Sequence, residues 1–208
     1  WHIFCISVNI NFIFTKSHPM KIRIFGLMVV VLLLHSCQKD TDTVQNLPEN
    51  KVANFDSNIV DVWTNVYLTI EKDLPSFRPA ATCRALGYIN MAAYETCLPG
   101  MPNYVSNKNN LPNLNLPVIQ DPTEINWNLA LNTCYATTIR HFMTNLTNEQ
   151  KALIYKTEQD QRLTLRDKMF NDVFQNSINW GTQVANAIIA YADSDAQGYS
   201  QSLNAFPD

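Results

Sequence analysis

The hydrophobic residues of this chain recur at steps of three and four, the spacing that places side chains on one face of an α-helix. The clearest series follows Asp56 and Ser57, either of which can cap a helix, and Leu74-Pro75 ends it. Its members are Ile59, Trp63, Val66, Tyr67 and Ile70. The sequence therefore predicts an amphipathic helix with this series in the core.

A second helix is predicted within the run of residues 78–97, which holds only three charges, and Arg78-Pro79 precedes it. A helix that is apolar on nearly all sides is expected inside a domain, wrapped by others, so this one is predicted to be central. Arg84 and Glu95 lie roughly 16 Å apart along its axis and cannot pair, so each needs a partner from another helix. Leu86, Ile89, Ala93 and Cys97 share one face, and the small residues Ala81, Ala85, Gly87 and Ala92 lie elsewhere on the cylinder.

Residues 98–122 contain five prolines, which predicts a long loop, either ordered or flexible. The sequence Asp121-Pro122-Thr123-Glu124 has a capping aspartate, a proline and a glutamate at the positions that start a helix. A third helix is therefore predicted from there to about Met143.

Two more helices are predicted after the third. Thr147 and Gln150 have the spacing of a capping pair and open a charged helix that runs to about Phe170. The last helix spans roughly residues 173–192, where Gly181 and Ala185 permit close contact with a neighbour. Residues 193–208 are predicted to be loop. The fold class is thus all-α, a bundle of about five helices.

The beginning of the chain reads as a targeting segment. Residues 1–19 form no recognisable element and are interpreted as lying upstream of a start at Met20. Lys21 and Arg23 then precede a short apolar run, which is typical of a bacterial secretory signal over residues 20–36. The sequence Leu34-His35-Ser36-Cys37 resembles a lipobox, which implies that Cys37 is the lipidated first residue of the mature protein.

An ordinary signal peptide or a short membrane anchor is the alternative, but the apolar run is short for a span of about 20 residues. Residues 37–55 are polar and predict a flexible tether, and residues 56–208 form the helical domain. The acidic residues Asp40, Asp42 and Glu49 in the tether either resemble the surface-export signal of Bacteroidetes lipoproteins or only keep the linker solvated. The expected location is the cell envelope, at the outer membrane or the periplasmic face, with the membrane as partner through the lipid anchor.

Charge and composition narrow the function classes. At 208 residues one domain is expected, and a net charge of −3 with a pI near 5.8 argues against a nucleic-acid surface. His141 ends a predicted helix, where a cation suits the helix dipole, and it has no metal-ligand partners at useful spacing. Cys97 and Cys134 are predicted either to form a disulfide or to be buried free thiols. The acidic residues Glu158, Asp160, Asp167, Asp172, Asp193 and Asp195 are predicted to form a solvated surface without a catalytic pair.

Several segments resemble the N-terminal helical part of exported vanadium-dependent haloperoxidase-like proteins, in the type 2 phosphatidic acid phosphatase superfamily. The resemblance covers residues 56–199 and rests on Trp63, on Phe77-Arg78-Pro79 with Arg84, Tyr88, Asn90, Ala92, Ala93, Tyr94 and Glu95, and on Trp180-Gly181-Thr182-Gln183-Val184-Ala185 with Ile188, Ile189 and Asp195. It implies that the chain is the N-terminal half of a larger α-helical domain.

In that family the oxyanion site comes from later motifs: a lysine separated by six intervening residues from Arg-Pro, then Pro-Ser-Gly-His, then Ser-Arg followed by a histidine. The last two are missing from this sequence, and only five residues lie between Lys72 and Arg78-Pro79, so neither Lys72 nor Arg78 is assigned a catalytic role. The resemblance therefore implies an inactive, truncated fragment with no cofactor. Vanadate, with halide oxidation by peroxide or phosphate ester hydrolysis, belongs to the complete protein.

Two further expectations concern partners. If the central helix leaves a face uncovered, the fragment is expected to aggregate or to form a homodimer. The alternative function is that of a non-catalytic surface lipoprotein that binds glycan or a partner protein, with Trp63, Tyr104 and Trp127 as candidate stacking rings. Helical spacing favours core burial for the two tryptophans, and such burial would count against this alternative.

Overall fold

Five α-helices make up most of the chain that the computed structural model describes, namely residues 50–74, 79–167, 169–195 and 198. They are α1 (Asn58–Glu71), α2 (Pro79–Cys97), α3 (Trp127–Phe142), α4 (Asn148–Arg166) and α5 (Asn171–Asp193). Single 3-10 turns lie at Val52–Asn54, Leu98–Gly100, Asn107–Asn109 and Pro122–Glu124. The described part contains no strand, so the predicted all-α bundle is confirmed.

The central helix of the bundle is α3, not α2 as predicted. All four other helices pack against α3, and 11 of its 16 residues are buried. In contrast, α2 leaves Cys83, Leu86 and Gly87 exposed. The physical reason is that small and weakly apolar side chains are compatible with an open surface as well as with close packing. The central position of α3 is hard to recognise from its sequence, because some of its fully buried residues, such as Asn132 and Thr138, are polar.

The core-facing series of α1 is confirmed, since all five of its predicted residues are buried. Trp63 also makes a polar contact: its indole N–H donates to Oδ1 of Asn132 in α3 over 3.0 Å. The Nδ2 of Asn132 in turn donates to the backbone oxygen of Glu158 in α4 over 2.9 Å. One buried amide therefore links three helices and has both of its hydrogen-bonding ends satisfied.

The start of α3 differs from the prediction. Asp121 caps only the 3-10 turn Pro122–Glu124, by accepting from the backbone N–H of Thr123. The chain then becomes extended, and Asn126 is the true N-cap, with its side chain accepting from the N–H of Leu129. Two capping residues five positions apart compete here, and the second lies next to the buried residues that α3 contributes.

The predicted start of α4 is confirmed, because Thr147 and Gln150 form a complete capping box. The helix ends at Arg166 rather than near Phe170, and Phe170 instead becomes the extended residue before α5. α5 begins at Asn171, two residues before its predicted start.

The connection between α2 and α3 is held against the bundle. Buried Glu95 accepts a hydrogen bond from Oγ of Ser106 at 2.9 Å and another from the backbone N–H of Asn107 at 2.7 Å. Leu114 is 1% exposed and packs with residues of α2, α3 and α5. Residues 98–122 were predicted to form either an ordered or a flexible loop, and these contacts show that the loop is ordered.

Residues 1–49 lie outside the described part of the chain. The predicted signal over residues 20–36, the lipidated Cys37 and most of the tether fall there, as do Arg78 and nearly all of residues 196–208.

Candidate functional site

Arg84 and Glu95, the two charged residues that the resemblance places on α2, are both used to hold other segments. The guanidinium of Arg84 donates to the backbone oxygen of Ala192 at 2.7 Å, pairs with Asp195 at 3.1 Å and lies over the ring of Tyr88. Its predicted partner from another helix is thus found at the end of α5. The same prediction is wrong for Glu95, whose partners come from the α2–α3 connection.

The tryptophan and glycine that carry the resemblance in α5 are packed against the bundle. The indole N–H of Trp180 donates to the backbone oxygen of Thr96 at the end of α2, over 2.8 Å. Gly181 lies against the backbone of Ala130 in α3. Both contacts join helices, and neither leaves a reactive group facing solvent.

His141 lies in the last turn of α3, where it was predicted, and its Nε2 is 3.0 Å from Oδ1 of Asp193. The pair joins the C-terminal ends of α3 and α5. Lys72 is exposed and lies 3.9 Å from Asp73. Each of the two cationic types of side chain thus lies beside an aspartate, and no nucleophilic side chain takes part in these contacts.

The three cysteines in the described part of the chain are free thiols. Cys83 is exposed, whereas Cys97 and Cys134 are buried. Burial raises the pKa of both buried thiols from 9.0 to about 12, and the neighbouring Cys134 contributes to the shift at Cys97. Thiols with such pKa values stay protonated at neutral pH and are poor nucleophiles.

Glu158 departs most clearly from the expected solvated surface. It is 5% exposed and accepts from Nη2 of Arg162 at 2.5 Å and from Nη2 of Arg140. Asp160 fits the prediction, because it is exposed and pairs with Lys156 one turn away. Glu158 was missed because Arg140 belongs to α3, and sequence spacing does not show which charges meet across helices.

Two of the three aromatic rings proposed to stack on sugars are not accessible to a ligand. Trp63 and Trp127 are fully buried, and the indole N–H of Trp127 donates to the backbone oxygen of Asn50. Tyr104 is exposed. The burial of the two tryptophans counts against glycan binding through these rings.

A polar cleft that sequence reasoning missed lies between α5 and the end of the α2–α3 connection. Its volume is about 460 Å³, within the usual range for small-molecule sites. One wall consists of residues 118–121 with Glu124 and Ile125, and the other of Asn176, Asn179, Trp180 and Gln183. The lining residues of α5 lie three and four positions apart, so the sequence shows that they share one side of the helix. It does not show which segment forms the opposite wall.

Within the described ranges, no group of three histidine, cysteine, aspartate or glutamate side chains could hold a metal ion. None of the described helices is long and apolar enough to span a membrane. The chain matches no family model, no curated protein and no solved structure.

Proposed function

We propose that this chain is the helical N-terminal part of an exported lipoprotein related to the vanadium-dependent haloperoxidase-like proteins and acid phosphatases. The observation that supports it is the contact between α2 and α5. The two segments that carry the resemblance meet there, through the bond from Trp180 to Thr96 and through Arg84, which holds Ala192.

In this proposal the described helices are a scaffold. The two arginines that converge within it, Arg140 and Arg162, are both paired with Glu158. The purified chain is therefore expected to show neither bromide oxidation with vanadate and peroxide nor hydrolysis of a phosphate monoester. Activity of the chain alone in either assay would contradict the scaffold role.

The gene locus beyond the codon for Asp208 provides a direct test. An in-frame continuation with Lys and Arg-Pro, Pro-Ser-Gly-His and a late histidine supports the proposal, because those groups would form the oxyanion site. A genuine stop codon there, together with a stable transcript, would overturn it and favour a non-catalytic lipoprotein.

The proposed membrane partner depends on Cys37. Metabolic labelling with a clickable fatty acid should modify the expressed protein and place it in the membrane fraction, since two acyl chains suffice for stable attachment. Cys37→Ala should abolish both results. Cys83→Ala is the matched control, because Cys83 is exposed on α2 but has no lipobox before it. Labelling that survives Cys37→Ala would refute the anchor.

A homodimer is proposed on the uncovered side of α2. A groove of about 550 Å³ lies there, lined by Gly87, Tyr88, Met91, Leu111 and Tyr191 among others. Gly87, which lines the groove, has open space where a side chain would be, and the preceding residue on α2, Leu86, is 37% exposed. A second copy of α2 could therefore approach closely.

Light scattering after size exclusion should give a dimer that Leu86→Glu dissociates. Leu163→Glu, at an exposed leucine on α4, should leave it intact. A cooperatively melting monomer at all concentrations would contradict the dimer.

A further inference from the structure

The polar cleft between α5 and the α2–α3 connection has side chains that can both donate and accept hydrogen bonds. Asn176, Asn179 and Gln183 are spaced three and four residues apart along one side of α5, so their amides form a row. Gln120 contributes a further amide from the opposite wall. A primary amide offers two donors and a carbonyl acceptor, which matches a hydroxyl group that both donates and accepts.

Much of this hydrogen-bonding capacity is open. Asn176 donates to Oε2 of Glu124 over 2.9 Å, which joins the two walls. Asn179, Gln183 and Gln120 are exposed and make no side-chain hydrogen bond to any residue in the described part of the chain. Three amides therefore point to solvent around a shared concave surface.

The charge of the cleft argues against anionic ligands. Among the described residues that line it, the ionisable ones are Asp121 and Glu124, and none is a cation. The side-chain and backbone hydrogen bonds from Thr123 lower the pKa of Asp121, so this carboxylate remains charged at neutral pH. Two carboxylates without a cation disfavour phosphate, vanadate and other anions.

Both walls of the cleft also carry apolar side chains. Trp180 contributes from α5, and because its indole N–H already donates to Thr96, its ring offers only hydrocarbon surface to the cleft. Val118 and Ile119 add aliphatic surface from the connection. Apolar side chains beside hydrogen-bonding amides suit a ligand with C–H faces and hydroxyl edges.

We infer that this cleft binds a neutral polyhydroxylated ligand, a sugar or a short glycan, through the amides of Asn179, Gln183 and Gln120. The inference is independent of the haloperoxidase-like proposal, which needs no ligand at this place. The inferred glycan-binding residues differ from the stacking rings proposed from the sequence, of which Trp63 and Trp127 are buried away from this cleft.

The test is a titration of the full chain with chitotriose, maltotriose and cellotriose, followed by NMR of the side-chain amides and by calorimetry. At least one sugar should bind saturably and shift the amide resonances of Asn179 and Gln183. Asn179→Ala and Gln183→Ala should each weaken binding roughly tenfold, the effect of about 1.4 kcal/mol. Both positions are exposed, so the fold should not change.

Gln175→Ala is the matched control, because Gln175 is an exposed glutamine on α5 that does not line the cleft. Inorganic phosphate and spermidine serve as anionic and cationic probes. Absence of saturable sugar binding, equal binding by the cleft variants, or stronger binding of either charged probe at the cleft would overturn the inference.

Discussion

Gly181 of α5 lies directly against the backbone carbonyl of Ala130 in α3: a Cβ built on Gly181 would come 2.2 Å from that oxygen. Real Cβ atoms do not approach so closely, and the obstacle is backbone, which cannot rotate away. The close contact of α5 with the central helix therefore depends on glycine at this position.

Gly181→Ala should lower the free energy of unfolding by about 2–3 kcal/mol, since an added methyl group must push two packed helices apart. Chemical denaturation measures it. Gly87→Ala is the matched control, because nothing lies within 4 Å of a Cβ there. That variant should gain up to about 1 kcal/mol from better helix propensity. Equal effects of the two substitutions would contradict the close-contact explanation.

The spacing of Gly181 and Ala185 was enough to predict a close helix contact, and the apolar series in α1 was enough to predict its buried face. Both predictions rest on local periodicity, because the spacing of residues along a helix determines which of them share a face. Which helix is central depends instead on how all five assemble. Buried polar residues in α3, such as Asn132, have partners distant in sequence, so their burial could not be predicted.

The contribution of buried ion pairs to stability can be tested at Glu158. Glu158→Gln removes the charge that Arg140 and Arg162 share, and should destabilise the fold by about 2 kcal/mol. This is below the 3–5 kcal/mol typical of fully buried pairs, because the arginine side chains are 39% and 25% exposed and solvent screens them.

Asp160→Asn is the control for Glu158→Gln. It breaks an exposed pair with Lys156 on the same helix and should cost no more than about 0.5 kcal/mol. Thermal and urea unfolding of both variants would separate the two cases. If Glu158→Gln were as mild as the control, the buried carboxylate would not contribute to stability as argued.

Glu95 should control the mobility of the α2–α3 connection. Glu95→Ala removes the acceptor for Ser106 and for the N–H of Asn107, and a lost acceptor typically costs about 1–3 kcal/mol. Hydrogen exchange of the amides near Asn107 should therefore accelerate. Asn90→Ala on the same helix, where the side chain donates to the backbone oxygen of Leu86 one turn earlier, should leave that exchange unchanged. No acceleration in Glu95→Ala would show that other contacts hold the connection.

The candidate site illustrates the same limit as the fold. The amide row on α5 is visible as Asn176, Asn179 and Gln183, but asparagine and glutamine on a helix usually mark only a solvated surface. Its significance depends on Glu124, 52 positions away from Asn176, and on the irregular chain beside it. No periodicity predicts how a proline-containing connection folds back.

The buried thiols give a prediction for alkaline pH. In the unfolded chain Cys97 and Cys134 ionise near 9.0, whereas in the folded protein burial raises their pKa to about 12. Between these values the unfolded state loses protons that the folded state keeps, so stability should fall as pH rises through this window and be unaffected by these groups below it. Each thiol contributes up to about 1.4 kcal/mol per pH unit.

Burial also raises the pKa of Tyr67 to about 12 and that of Tyr135 further, so tyrosines contribute to the same decline. The double variant Cys97→Ala, Cys134→Ala should therefore reduce the slope of stability against pH without abolishing it. Cys83→Ala, at the exposed thiol, should leave the slope unchanged.

In the native protein at neutral pH, iodoacetamide should modify Cys83 and reach Cys97 and Cys134 only after unfolding, as peptide mass spectrometry can show. Rapid modification of either buried thiol without unfolding, or an unchanged slope in the double variant, would contradict the burial that raises their pKa.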